Sequence, residues 1–247
     1  MIRGLFLSAL ATVAFSVLPV HAASKTPWSY SGNSGPQHWS MLDPAYVVCG
    51  SGKNQSPINL TRIVESNLPP IAFHYQPGGT EILNNGHTIQ INFEPGSSIT
   101  LDGQSFELKQ LHFHVPSENT IEGNAYAMEG HLVHADKNGN LAVIAVMYSI
   151  ADKSAELAKA WNHMPLKAGQ TKALPDAMDA SAMLPGKPGH YRFNGSLTTP
   201  PCTEGVRWLV MKYDQTASAA QIEKFTKALH SANNRPLQPV NARIILK

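Results

Sequence analysis

Cysteine and charged residues are both scarce in this sequence. Only two of its 247 residues are cysteine, and 15% are charged. The 19 basic and 17 acidic side chains nearly cancel, and the basic residues form no run. Because nucleic-acid-binding proteins neutralise phosphates with clustered Lys and Arg, this balance argues against that class. It argues equally against strong adhesion to a charged membrane surface.

Long apolar runs are missing after the N-terminus, and the one at the N-terminus is organised like a signal peptide. Residues 1–3 are a short positive start that contains Arg3, 5–20 are mostly apolar, and 20–22 (VHA) form a cleavage site of the signal-peptide kind. A membrane anchor is the alternative, but two serines, a threonine and a proline interrupt the run. We therefore predict a cleaved signal peptide over 1–22 and a periplasmic protein without a membrane anchor, with secretion as the alternative.

The remaining chain, 23–247, is long enough for one domain with a substantial core. No internal repeat or linker divides it. Removal of Arg3 lowers the formal net charge from +2 to +1. Nothing in the sequence decides between a monomer and a homodimer.

The two cysteines are Cys49 and Cys202. In an exported chain the simplest prediction is that they pair. Closing a loop of this length removes about 5 kcal/mol of unfolded-state entropy on the chain-entropy model. The alternatives are two inert buried thiols or a contribution to a metal site.

Strand-like patterns, separated by Gly, Asn and Pro turns, dominate the middle of the chain. They are predicted over 81–93, 106–115, 125–135, 141–150 and 206–213. Helical spacing of apolar residues predicts helices over 152–164 and 218–232. Residues 141–150 are apolar throughout, which is typical of a central strand buried on both faces. The sequence thus predicts a mainly β fold with peripheral helices.

Two histidines, His112 and His114, lie one residue apart in a predicted strand (QLHFH), so both imidazoles point to the same face. A second strand presents Glu129 and His131 on one face. If the two strands pair antiparallel, His131 lies beside the other two histidines. Three histidines leave one open position on a tetrahedral zinc, as in catalytic sites. The alternative for the first two histidines alone is a surface pair.

Seven separated motifs stand at 35–39, 54–60, 84–87, 110–119, 128–134, 193–208 and 235–239. Together they resemble the α-class carbonic anhydrases, in the short exported bacterial form. The resemblance implies a single domain with a large, mostly antiparallel central sheet and short peripheral helices. It also implies reversible hydration of carbon dioxide to bicarbonate and a proton by a zinc-bound hydroxide.

Metal ligation follows from the resemblance. His112, His114 and His131 are expected to hold Zn²⁺, with Gln110 and Glu129 orienting the first and third of them. A backbone carbonyl, which the sequence does not locate, is the expected partner of His114.

Roles next to the metal are implied in the same way. Thr198 is expected to accept a hydrogen bond from the hydroxide while donating its own proton to Glu118, because a carboxylate only accepts. Thr199 is expected to contact bicarbonate. The residues that match an apolar wall for carbon dioxide are Val133, Val143, Leu197 and Trp208.

Proton release is expected to use His87 as a shuttle, since a histidine titrates near neutral pH. Tyr30 and Asn85 match residues that order the intervening waters, whereas Gln90 departs from the asparagine common in vertebrate relatives. The alternative for His87 is an ordinary turn histidine.

Other function classes fit less well. A non-catalytic binding module related to this family would have lost a zinc histidine, and this chain keeps all three. A zinc peptidase would need an H-E-x-x-H helix, which is absent. Weak ester hydrolysis is expected as a side activity.

Overall fold

The computed structural model describes residues 26–247 of the chain. The predicted signal peptide over 1–22 lies outside the described residues. The described strands are β1 (Asn59–Leu60), β2 (Ala72–His74), β3 (Pro77–Asn84), β4 (Ile89–Phe93), β5 (Ser98–Leu101), β6 (Gln104–His114), β7 (Thr120–Ile121), β8 (Met128–Ala135), β9 (Leu141–Ile150), β10 (Thr171–Asp179), β11 (His190–Ser196), β12 (Glu204–Met211) and β13 (Gln215–Ala217). The α-helices are α1 (Trp39–Leu42), α2 (Val48–Ser51), α3 (Ala155–Trp161) and α4 (Ala219–Leu229). Short 3-10 helices span Gly32–Ser34, Pro44–Tyr46 and Ala180–Met183.

Eleven of these strands form one sheet. Its main path runs β10-β3-β4-β6-β8-β9-β12-β11; β5 also pairs with β6, β2 pairs with β5, and β13 pairs with β9. Only the β9–β12 and β9–β13 pairs within it are parallel. The predicted mainly β fold with a large, mostly antiparallel sheet is confirmed.

The sheet is covered on both faces. Leu111, Phe113 and Ile144 are buried in one apolar cluster, and Val143 and Trp208 are buried in another on the opposite face. Strand β9 contributes alternate residues to each cluster, which explains why its sequence is apolar throughout. The prediction of a central strand over 141–150 is therefore confirmed.

The predicted strand over 81–93 is wrong as a single element. It is two antiparallel strands, β3 and β4, joined by a tight turn. In this turn Asn85 Oδ1 accepts hydrogen bonds from the main-chain N–H groups of His87 and Thr88, both at 2.9 Å. Gly86 has a φ of 86°, which favours glycine. Asn-Gly is a strong turn signal, and it outweighs the alternation that continues through it.

Both predicted helices form, but they are shorter than predicted. Ser154 caps α3 by accepting from Leu157 N, and Ser218 caps α4 in a capping box with Gln221. Helix α4 ends where His230 adopts a left-handed φ of 62°. Within residues 26–247, none of the helices has the length and apolar character needed to span a bilayer.

His134 lies on β8 but is buried on the face opposite His131, as its place in the alternation predicts. Its Nε2 lies 2.7 Å from the hydroxyl of Tyr75, and its Nδ1 lies 3.2 Å from the carbonyl oxygen of Ala142. Burial lowers the pKa of His134 from 6.5 to about 4, although the hydrogen bond to Ala142 opposes the shift. The native state therefore holds a neutral imidazole here.

This buried imidazole predicts a loss of stability in mild acid. Between pH 6.5 and about 4 the unfolded chain binds a proton at His134 that the folded chain does not, so stability falls as the pH falls. We expect His134 to lower the free energy of unfolding by about 2 to 3 kcal/mol at pH 4.5 relative to pH 7. Urea unfolding at both pH values measures it. His134→Gln should be less stable at pH 7 but should lose less on acidification, and an unchanged difference between the two pH values would contradict the assignment.

Candidate metal centre

Three histidines converge on one face of strands β6 and β8. His112 is directly opposite His131 in the antiparallel register, and His114 lies two residues further along β6. One nitrogen from each ring lies within 4.8 Å of the others. The antiparallel pairing on which the three-histidine hypothesis depends is present, and the three imidazoles are positioned to bind one metal ion.

Each imidazole is held from behind by an oxygen acceptor. His112 Nδ1 lies 2.8 Å from Gln110 Oε1, and His131 Nε2 lies 2.8 Å from Glu129 Oε1. His114 Nδ1 donates to the main-chain oxygen of Asn233 at 2.7 Å. Each acceptor takes the proton of the ring nitrogen that faces it, which we call the outer nitrogen. The other ring nitrogen, the inner one, therefore carries the free lone pair.

The inner nitrogens have the character of a metal site. Nε2 of His114 is buried and has no hydrogen-bond partner among the described residues. Burial is the main reason that the pKa values of His112, His114 and His131 all lie below the ordinary value. Neutral imidazoles with an orphaned lone pair are the form that binds a metal. The residues present therefore fit a divalent cation with three histidine ligands.

Glu129 is a fully buried carboxylate with a full set of donors. Its Oε2 accepts from the main-chain N–H groups of Glu118 at 2.7 Å and Asn119 at 2.8 Å, and its Oε1 accepts from the Asn119 side chain at 2.7 Å. Burial raises the pKa of Glu129, while the hydrogen bonds from Asn119 oppose that rise. This network fixes the oxygen that His131 contacts.

A small cavity of about 130 Å³ opens beside the triad. It is lined by Trp28, Tyr30, Asn85, His87, Thr88, Gln90, Gln110, His112, His114 and Thr199. The cavity thus connects His87 with two of the three histidines, His112 and His114. The His87 ring stacks on Trp28 with a centroid distance of 3.7 Å and an interplanar angle of 8°. Partial burial lowers the pKa of His87 below 6.5.

Comparison with known proteins decides the family. The family model described as eukaryotic-type carbonic anhydrase matches residues 34–247. The chain belongs to the α-class carbonic anhydrase family. It is 48% identical over 239 residues to a carbonic anhydrase of Neisseria gonorrhoeae, covering 96% of this chain and 94% of that one.

Solved structures of carbonic anhydrases have the same fold. The α-carbonic anhydrase of Thermovibrio ammonificans, solved with the inhibitor sulfanilamide, has a TM-score of 0.89 and 45% identity, and the match covers 91% of this chain and all of that one. A hyperthermostable carbonic anhydrase identified from an active hydrothermal vent chimney has a TM-score of 0.88 and 52% identity, with coverages of 89% and 99%. The prediction that the chain is a carbonic anhydrase is confirmed.

Glu118 lies directly behind the carbonic anhydrase triad. Its Oε1 accepts from the main-chain N–H of Arg235 at 2.8 Å and lies 3.5 Å from His114 Nδ1. Burial raises the pKa of Glu118 well above its ordinary value, while the contacts with Arg235 and Thr198 oppose the rise. Glu118 Oε2 is buried and has no hydrogen-bond partner within the described part of the chain.

The four residues expected to form the apolar wall lie together next to His131. Val133 and Val143 are opposite each other on β8 and β9, and Trp208 is the partner of Val143 on β12. Leu197 packs against the same cluster. The Trp208 ring lies 4.9 Å from the His131 ring, with its Nε1 donating to Ser196 O at 3.0 Å.

The residues expected to order water are present, but two of their side chains have protein partners. Asn85 Oδ1 is used in the turn that carries His87, and Gln90 Nε2 donates to Asn92 Oδ1 at 2.7 Å. Burial raises the pKa of Tyr30 well above its usual value, so this phenol stays protonated.

Cys49 and Cys202 form a disulfide, which confirms the predicted pairing and removes the two-thiol and metal-site alternatives. The bond anchors the loop that carries Thr198 and Thr199. Within this loop Cys202 N donates to Thr199 O at 2.8 Å. Gln55 Nε2, which lies outside the loop, donates to Cys202 O at 3.0 Å.

Two residues of the site were missed in the sequence. Asn233 contacts His114 through its main-chain oxygen, which leaves no mark in the residue type. Arg235 is 2% exposed, and its guanidinium donates to Gln55 Oε1, Ser56 O and Cys49 O. It stands in a matched motif (235–239), and that match is the signal that points to it.

Proposed function

We propose that the chain catalyses the reversible hydration of carbon dioxide at a zinc ion held by His112, His114 and His131. The main support is the triad itself, in which each imidazole has its outer nitrogen engaged and its inner nitrogen directed at a common point. When bound, zinc lowers the pKa of a coordinated water to about 7 and so supplies hydroxide at neutral pH. Imidazole suits several divalent metals, and zinc is proposed because the chain belongs to a zinc-dependent family.

Thr198 and Glu118 are proposed to orient the nucleophile. A carboxylate can only accept hydrogen bonds, so Thr198 donates its proton to Glu118 and offers its oxygen as an acceptor to the nucleophile. Burial alone favours a protonated Glu118. A divalent cation held by the triad would oppose this effect, because a nearby positive charge stabilises the carboxylate.

The apolar wall is proposed to receive carbon dioxide. The substrate carries no charge, so Val133, Val143, Leu197 and Trp208 can take it up without a charged partner. Val143 and Trp208 are buried, and Val133 and Leu197 are partly buried against the same apolar cluster. Thr199, which lines the cavity, is proposed to contact bicarbonate.

His87 is proposed to carry the proton out of the site through the cavity that connects it to the triad. Its lowered pKa leaves it neutral at pH 7 and therefore able to accept a proton. Tyr30, Asn85 and Gln90 line the same cavity and are proposed to hold its water.

His87→Ala should lower kcat in weak buffer by about tenfold to a hundredfold, because a positioned proton acceptor is lost. Added imidazole should restore the rate, and kcat/KM should change little. In weak buffer, the kcat of the native protein should fall in acid with a midpoint below pH 6.5, because the pKa of His87 lies below 6.5. Stopped-flow hydration of carbon dioxide measures all three. An unchanged kcat at low buffer concentration would reject the shuttle role.

The overall proposal is tested by metal analysis of the purified protein together with a hydration assay. We expect one zinc per chain, loss of activity on chelation, and recovery on adding zinc back. Hydrolysis of a nitrophenyl ester should be weak and should depend on the same metal. Activity that survives complete metal removal would overturn the proposal.

Export is proposed from the disulfide together with the N-terminal sequence. Disulfides persist in oxidising compartments such as the periplasm. We propose that residues 1–22 are removed during export, which N-terminal sequencing of the mature protein from a periplasmic fraction tests.

A further inference from the structure

Asn233 is a buried residue that contacts both His114, one of the three histidines of the triad, and His87, the proposed proton acceptor. It follows α4 and is 1% exposed. Its main-chain oxygen accepts from His114 Nδ1 at 2.7 Å. Its side-chain Nδ2 donates to the carbonyl oxygen of His87 at 3.1 Å. The same residue therefore touches a metal ligand with its backbone and the proposed proton acceptor with its side chain.

The rest of the Asn233 side chain is fixed to the end of strand β6. Oδ1 accepts from Val115 N at 2.8 Å, and Nδ2 also donates to the carbonyl oxygen of Phe113 at 2.8 Å. The side-chain amide is thus locked on both sides of His114. From this fixed position it reaches across to the turn between β3 and β4.

The turn that carries His87 has few side-chain links to β6, the strand that carries His112 and His114. The hydrogen bonds that Asn85 Oδ1 accepts from His87 N and Thr88 N lie within the turn and do not hold it to β6. Thr88 bonds to the main chain of Phe113 through its hydroxyl, at 2.6 and 3.2 Å. The Asn233 amide supplies the link at His87 itself.

We propose that Asn233 is a positioning residue for proton transfer, whose side-chain amide holds the backbone of His87 at a fixed distance from the metal ligands. This inference rests on the proposed role of His87. Proton transfer along water depends on the separation and alignment of donor and acceptor, so a small displacement of the turn slows it. The carbonyl contact with His114 belongs to the backbone and survives a change of side chain.

Asn233→Asp and Asn233→Ala test the inference. The aspartate keeps the shape of the side chain but replaces the N–H donors of Nδ2 by an oxygen that faces the carbonyl oxygens of His87 and Phe113. The alanine removes these donors without adding charge. In both variants kcat in weak buffer should fall by about fivefold, a fraction of the roughly hundredfold cost of a 1 Å misplacement. Imidazole should restore kcat, kcat/KM should stay within about a factor of two, and one zinc per chain should remain.

Gln221→Glu is the matched control. Gln221 is also a buried amide that joins two segments, with its Nε2 donating to Ser154 O at 2.8 Å and its Oε1 accepting from Ser154 N at 3.0 Å. It lies at the start of α4, outside the cavity. Its substitution should lower stability without changing kcat in weak buffer.

A double variant separates this inference from the proposed function. His87→Ala combined with Asn233→Asp should be no slower than His87→Ala alone, because the residue being positioned is gone. Loss of zinc or of kcat/KM in both Asn233 variants would overturn the inference in favour of a purely structural role. An unchanged kcat in both variants, with His87→Ala slow, would overturn the inference alone. An unchanged kcat in His87→Ala would instead overturn the shuttle role on which it rests.

Discussion

His131→Ala should reduce carbon dioxide hydration to the uncatalysed background and remove most of the bound zinc. The substitution takes one of three ligands from a site in which the other two, His112 and His114, come from the same strand. It also leaves Glu129 Oε1 without its histidine in a fully buried position. Both effects act at the metal site, so the folded chain should remain detectable by circular dichroism while zinc content and activity fall together.

His134→Ala is the matched control for this variant. It removes a buried histidine from the same strand, but on the opposite face, where it contacts Tyr75 and not the triad. This variant should be less stable and should keep both zinc and activity. Stoichiometric zinc with full activity in His131→Ala would refute the ligand assignment.

The double variant Cys49→Ser/Cys202→Ser should lower the free energy of unfolding by about 3 to 5 kcal/mol. The upper value follows from the loop of 153 residues that the disulfide closes in the unfolded chain. Urea unfolding at neutral pH measures the loss. Before substitution, mass spectrometry of the native, non-reduced protein should find no thiol that can be alkylated.

Loss of the disulfide should also lower activity, because Cys202 anchors the loop that carries Thr199. The main-chain bond from Cys202 N to Thr199 O and the contact from Gln55 would both lose their support. We expect zinc content to be retained while kcat/KM falls, since the histidine ligands lie on strands that the disulfide does not touch. Chemical reduction of the native protein is the parallel test, and an unfolding midpoint unaffected by both treatments would contradict the prediction.

Much of the fold could be predicted where side chains alternate over a long strand. Strands β6, β8 and β9 have this pattern because one or both of their faces are buried. Strand β10 was not predicted, because Pro175 and two aspartates interrupt any alternation and most of its residues are exposed. It lies at the edge of the sheet, where proline and polar residues are tolerated.

The metal centre was predictable to the extent that it is made of side chains. Gln110 and Glu129 stand two residues before His112 and His131, so alternation places each acceptor on the face of its histidine. The partner of His114 is the main-chain oxygen of Asn233, which comes from a segment 119 positions away in the chain. A main-chain contact does not constrain residue type, so only the structure locates it.

Because His112 and His131 are directly opposite each other, metal binding reports whether strands β6 and β8 are paired in the correct register. Because successive side chains face opposite sides, a shift of β8 by one residue would place Gly130 or Leu132 where His131 stands. A sheet misaligned by one residue would turn His131 to the opposite face, so the three imidazoles could not meet. A stoichiometric metal content would therefore show that β6 and β8 are paired in the correct register to within one residue. Neither helix content nor compactness can show this.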